Sequence, residues 1–222
     1  MNTAILVDGG FYRRRAQKMI GEKSAKDRAE ELNNYCWRHL SEGKRDNKKY
    51  NNLYRIFYYD CPPMSKKVYH PFLKKQIDFS KTELHMWMST FLTELKHQRK
   101  MALRLGKLAD AQAHYTLRDS IIKGICNGTT TLENLKEQDF MIDVDQKGVD
   151  MKIGLDIASL AYKNQVDQII LISGDSDFVP AAKLARREGI DFVLDPLGAP
   201  IKEDLFEHID GLRTCDSAYK NK

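Results

Sequence analysis

Residues 168–180 read Gln168-Ile169-Ile170-Leu171-Ile172-Ser173-Gly174-Asp175-Ser176-Asp177-Phe178-Val179-Pro180. Gln168–Ile172 is a short apolar run rich in β-branched residues, the pattern of a strand buried on both faces. A glycine turn follows, and the spacing predicts a helix from Ser176 to Arg187 closed by Gly189. The chain turns apolar again at Ile190–Leu194, a second strand. This strand–helix–strand unit argues for a parallel sheet covered by helices.

Working outward, Phe140–Val144 reads as a strand and Gly148–Tyr162 as a helix with Ile153, Ile157 and Leu160 inward. Near the start, Thr3–Val7 is a buried strand ending in Asp8-Gly9-Gly10. A helix is expected from about Phe11 to about Leu40, with Gly21 a candidate break. Leu53–Tyr59 is another strand, again ending in an acid, Asp60, before Cys61-Pro62-Pro63 stops regular structure. Its aromatics Phe57, Tyr58 and Tyr59 read as core. Leu84, Trp87, Met88, Phe91, Leu92 and Leu95 make Lys81–Arg99 one amphipathic helix. Leu103 and Leu105 suggest a strand with Arg104 facing out, and Lys202–Phe206 a short helix. Ser41–Asn52 is a polar, basic loop around Lys44, Arg45, Lys48 and Lys49. Residues 110–139 have weak periodicity and no assigned element. The fold class is α/β with a mostly parallel sheet.

The chain has 222 residues, 30% charged and 42% hydrophobic, which excludes disorder and collagen. At this length it buries roughly 70% of its unfolded surface, enough for a core without disulfides or structural metal. Cys36, Cys61, Cys126 and Cys215 show no C-x-x-C spacing and read as reduced thiols rather than zinc ligands. The N-terminus lacks a basic leader, and no apolar run approaches the roughly 18 residues of a membrane span. A cytoplasmic protein with no membrane partner is expected. The six histidines are unpaired in sequence, and serine-nucleophile and P-loop signatures are absent.

The acids carry the functional signal. In an open parallel sheet, function gathers where strands end at their carboxyl edge. Asp8 ends the first strand and Asp175 follows Gln168–Ile172, so both emerge on one edge. Asp177 falls in the first turn of the next helix, and Asp150 at the start of another, in Lys147-Gly148-Val149-Asp150. Each alone also reads as a helix cap or dipole partner. Together they are harder to explain that way. Two carboxylates about 4 Å apart repel by about 4 kcal/mol at an effective dielectric of 20. A hard divalent ion, Mg²⁺ or Mn²⁺, relieves that repulsion and suits oxygen-only ligands. Such an ion activates water and stabilises in-line attack on phosphate. Gly9, Gly10 and Gly174 allow close backbone approach or simply make turns. Ser173 and Ser176 either orient the carboxylates or cap a helix.

Val7-Asp8-Gly9-Gly10-Phe11, Lys147-Gly148-Val149-Asp150 and Ser173-Gly174-Asp175-Ser176-Asp177-Phe178-Val179-Pro180 occur in this order. In that order and spacing the chain resembles the NYN family of PIN-like nucleases, in its LabA-like branch, over residues 3–20 and roughly 100–195. The resemblance implies a PIN-like three-layer α/β/α sandwich and Mg²⁺- or Mn²⁺-dependent phosphodiester hydrolysis, usually of RNA. By motif position Asp8, Asp150, Asp175 and Asp177 are the metal-binding, catalytic acids. Asp156 matches a further family acid. It lies about 120° around the helix from Asp150 and reads as outer or structural. The sequence departs from the family at Gly10-Phe11, where many relatives carry Asn. The expected organisation is a single domain over 1–210, with a poorly matched region at about 60–139 and a polar tail at 211–222.

Arg13, Arg14 and Ser173 are the candidate substrate contacts, the arginines as neutralisers of phosphate or as a solvated helix face. Lys96, Arg99, Lys100, Arg104 and Lys107, with His97, form a second basic cluster that is either a nucleic-acid contact or plain surface. The net charge of +5 is only a mild lean toward polyanions. RNA is the expected partner, with a homo-oligomer or a protein partner left open. The alternative to a nuclease is a non-catalytic PIN-like regulatory or RNA- or protein-binding module. A haloacid dehalogenase-type phosphatase is weaker still, because Gly10 stands where that chemistry wants an acid.

Overall fold

A computed structural model describes residues 1–42 and 49–219. The basic loop at Lys44, Arg45 and Lys48 lies outside the described residues. Six strands form the central sheet: β1 (Asn2–Asp8), β2 (Asn52–Asp60), β3 (Met101–Leu105), β4 (Gln168–Ile172), β5 (Asp191–Asp195) and β6 (Gly211–Leu212). Their order across the sheet is β6-β5-β4-β1-β2-β3, and every neighbouring pair is parallel.

The helices are α1 (Gly9–Ile20), α2 (Ala25–Arg38), α3 (Glu83–His97), α4 (Asp119–Cys126), α5 (Val149–Tyr162), α6 (Val179–Arg187) and α7 (Glu203–Phe206). The expected break at Gly21 is present: its φ of 97° closes α1, and Ser24 caps α2 through the Asp27 amide.

Period-two alternation along the buried strands sorts the core into two layers. Ala4, Leu6, Phe57, Tyr59, Ile169 and Leu171 face Ile153, Ile157 and Leu160 of α5 and Ala182 and Ala185 of α6. Ile5, Val7, Ile56, Tyr58, Ile170 and Ile172 face Tyr12 and Ala16 of α1, Leu32 of α2, and Phe91 and Leu95 of α3. The result is an α/β/α sandwich.

Two expectations change, and one unassigned segment acquires its elements. Phe140–Asp143 is a strand, but it pairs antiparallel with His114–Leu117 outside the central sheet. Its alternating burial, with Met141 exposed, suits a surface ribbon and not a strand covered on both faces. Residues 110–139 hold that partner strand, α4 and short 3₁₀ turns, elements too brief to show periodicity. The segment expected as a polar tail from 211 begins with sheet strand β6, and Tyr219 packs at 1% exposure against the α1–α2 layer.

Candidate metal centre

The four acids stand on the carboxyl edge of the sheet, where β1 and β4 end side by side. Asp8 is the last residue of β1 and the N-cap of α1: its Oδ1 accepts from the Phe11 amide at 3.0 Å. Its Oδ2 accepts from the Ser173 hydroxyl at 3.3 Å. Ser173, just past β4, is fully buried, and its Oγ accepts in turn from the Asp175 amide at 3.3 Å. Asp175 Oδ1 accepts from the Asp177 amide at 3.0 Å. Asp150 is the second residue of α5, which starts from Gly148 at φ 80°. The capping reading therefore holds for Asp8 and Asp175, and not for Asp177. Capping a helix leaves each carboxylate with lone pairs for another partner.

Electrostatics ties the group together. The Asp8 carboxyl is held above its ordinary range by burial, with the charge of Asp150 adding to the effect and Phe11 N–H, Arg14 and Ser173 opposing it. Asp150 is also raised, by partial burial and then by the charges of Asp175 and Asp177. Asp150 is thus the hub at which the acids feel one another. Asp150, Asp175 and Asp177 are exposed to solvent. Among the described residues no three carboxylate, histidine or cysteine side chains stand close enough to grip one ion. The donor set is nonetheless all hard oxygen and mutually repelling, which is the chemistry Mg²⁺ or Mn²⁺ accepts.

The candidate substrate residues divide. Arg14 is exposed beside the site, and a Cβ on Gly10 would lie 3.4 Å from its Nη1 and 3.6 Å from Asp8 Oδ1. Arg13 is fixed by a bidentate pair, Nε to Asp60 Oδ2 at 2.9 Å and Nη2 to Asp60 Oδ1 at 3.0 Å. Both N–H groups of Nη1 lie outside this pair. Ser173, being fully buried, orients Asp8 and faces no solvent. In the second basic cluster, Arg104 Nε donates to Asp156 Oδ2 at 3.0 Å and Lys100 Nζ donates to the Leu53 carbonyl. Asp156 also accepts from Tyr59 Oη at 2.8 Å, a brace between helix and sheet.

The sequence marks Asp60 only as a strand end, yet it supports the site from below. Its side chain is 1% exposed and takes Arg13, Tyr58 Oη at 2.7 Å and the Cys61 amide at 2.8 Å. Gly9 lies directly over it. A Cβ there would fall 2.7 Å from Asp60 Oδ2 and closer still to the Tyr58 hydroxyl, so the turn after Asp8 admits only glycine. The available signal was positional: an apolar run ending in Asp at the carboxyl edge, shared by Asp8, Asp60 and Asp195.

No curated protein matches the chain. A solved structure of a protein of unknown function from Vibrio parahaemolyticus, VPA0982, is similar in fold. Its TM-score is 0.50 at 14% identity, over 98% of this chain and 94% of that one. The family model described as NYN domain matches residues 121–200, the stretch that holds Asp150, Ser173, Asp175 and Asp177. Residues 121–200 are thus similar to the NYN domain, and they sit in a parallel α/β/α sandwich of PIN-like architecture that presents these acids on one edge.

Proposed function

We propose that this protein is a metal-dependent nuclease that hydrolyses phosphodiester bonds in RNA, with Asp8, Asp150, Asp175 and Asp177 as the catalytic and metal-holding acids. The LabA-like branch is part of the same reading. The observation that carries it is the placement of four acids at one open strand edge: Asp8 ends β1, Asp175 and Asp177 follow β4, and Asp150 opens α5, its carboxyl held up by burial and then by the charges of Asp175 and Asp177. Fixed carboxylates that raise one another's proton affinity gain from a cation. Mg²⁺ or Mn²⁺, when bound, would supply charge at the scissile phosphate and an activated water.

The chain's own residues do the rest. Ser173 Oγ–H and Phe11 N–H hold the Asp8 carboxylate in one orientation. The Asp177 amide holds Asp175 similarly. Arg14, exposed beside the acids, neutralises backbone phosphate of the incoming strand, and Arg13 Nη1 offers a second donor at the rim. The open edge admits a polymer where an enclosed pocket would not.

The test is Mn²⁺ titration by calorimetry on wild type and Asp150→Asn. Binding by wild type that weakens at least tenfold in the variant supports the reading, and equal binding by both contradicts it. A second reading, a non-catalytic RNA-binding module, is favoured by the spacing of the acids, which among the described residues are not closed around one point. Such a module would bind RNA equally well with all four acids replaced by Asn.

A further inference from the structure

We propose that Cys215 is a peroxide-reactive thiol activated by the buried His39–Asp195 pair, a modification site separate from the acidic edge. His39 follows α2 and is fully buried, as is Asp195 at the end of β5. His39 Nε2 lies 2.8 Å from Asp195 Oδ2. That carboxylate is fully engaged: Oδ2 also takes the Tyr35 hydroxyl, and Oδ1 takes Thr214 Oγ1 at 2.9 Å and the Leu197 amide at 2.8 Å. A carboxylate with these donors accepts only, so His39 Nε2 carries a proton and the ring's orientation is fixed.

The other ring nitrogen, Nδ1, is buried with no hydrogen-bond partner. A buried polar atom left unpaired costs about 1–3 kcal/mol, and Cys215 stands beside this ring, joined through its backbone to Tyr35, which packs edge-on against His39 with 5.2 Å between ring centroids. Cys215 is pinned by its own amide, which donates to Tyr35 Oη at 3.3 Å, and is only partly buried. Burial opposes ionisation of the thiol, but His39 and Arg213 outweigh it and bring it below the ordinary range. Burial likewise opposes charge on His39, and Asp195 and Cys215 outweigh it.

The remaining charged and titratable neighbours are Cys36 and Arg38 on α2 and Asp216, which pairs with Arg38 Nη2 at 2.9 Å. Cys36 moves the opposite way: sealed in the core, its thiol is pushed well up by burial and then by Asp195 and Cys215. Cys61 is pushed up to about 11. Of these three thiols, Cys215 alone combines a cationic partner with access from outside.

The reaction class is oxidation by a hydroperoxide. The Cys215 thiolate attacks one peroxide oxygen, an S–O bond forms and the O–O bond breaks. The leaving hydroxide departs with the electron pair and takes a proton from His39 to become water. Sulfur is oxidised to the sulfenic acid and the peroxide is reduced.

The test treats the purified full chain with hydrogen peroxide and dimedone at pH 7 and follows each cysteine by mass spectrometry. Exposed Cys126 serves as the internal reference. Each tenfold gain in thiolate speeds attack by about threefold, because a more acidic thiol is also a weaker nucleophile. Cys215 is therefore expected to react faster than Cys126, and the two rates to differ by less than the gain in thiolate alone would give. The two rates should converge in urea and in a folded His39→Gln variant. If that variant unfolds, the contrast between native and urea-treated wild type decides alone. Equal or slower reaction of Cys215 in the native protein overturns the proposal, as does a folded His39→Gln variant that keeps the wild-type ratio.

Discussion

The Ser173 hydroxyl donates to Asp8 across the ends of two adjacent parallel strands, at 3.3 Å, while the Ser173 amide donates to the Asp195 carbonyl at 3.2 Å. One buried serine therefore ties β1, β4 and β5 together at the edge where the acids stand. Ser173→Ala removes the orienting donor without removing a carboxylate. Outer hydrogen bonds of this kind are worth roughly 10- to 100-fold in metal affinity. The expected result is a loss of that size in Mn²⁺ affinity by calorimetry, with the urea midpoint lowered by no more than about 1 kcal/mol of stability. Unchanged affinity would show that Ser173 serves only the fold.

Arg13 and Asp60 behave as a structural pair. Asp60 is sealed at 1% side-chain exposure, and Arg13 is its cation. Arg13→Ala leaves a buried carboxylate uncompensated, which typically costs about 3–5 kcal/mol. Urea denaturation should show a loss of at least about 3 kcal/mol, against little change for Arg14→Ala. Arg14→Ala should instead weaken RNA binding and flatten its salt dependence, since its guanidinium would meet phosphate.

Carboxyl groups held above their ordinary range bind protons that the unfolded chain has already released. The contribution of Asp8 and Asp150 to stability is therefore greatest below the ordinary aspartate value of 3.8 and is lost as pH rises through their raised values. Asp150→Asn relieves an exposed repulsion worth under about 1 kcal/mol. It should raise the metal-free Tm at pH 7 by about 2 °C and leave it unchanged at pH 3. Mg²⁺ should raise the wild-type Tm at pH 7 and have less effect on the variant. A lower Tm for Asp150→Asn would mean that the acids do not repel.

Much of this was legible in the sequence. Gln168–Ile172 occupies the strand its apolar run required, and α5 turns Ile153, Ile157 and Leu160 inward as their spacing demanded. Long periodic segments carry enough repeats to fix their own geometry. The Phe140–Asp143 ribbon and residues 110–139 do not: their elements are short, and their pairing depends on partners distant in the chain. The site was legible in part for a related reason. Asp8, Asp60 and Asp195 share one local signature, an apolar strand ending in an acid. Only the tertiary structure shows that Arg13 answers Asp60 and His39 answers Asp195, while Asp8 meets Ser173 and a backbone amide. The partner of a carboxylate, which decides whether it braces the fold or awaits an ion, comes from elsewhere in the chain.

The central claim is tested most directly by incubating purified wild type and an Asp8→Asn/Asp175→Asn variant with end-labelled RNA and a matched DNA, in Mn²⁺, in Mg²⁺ and in chelator, and resolving the products on a denaturing gel. The expected result is RNA cleavage by wild type that requires the metal, with at least a hundredfold loss, about 2.7 kcal/mol of barrier, in a variant whose circular dichroism is unchanged. Cleavage that persists in the double variant, or in chelator, would contradict the assignment of these aspartates as the metal-dependent catalytic site.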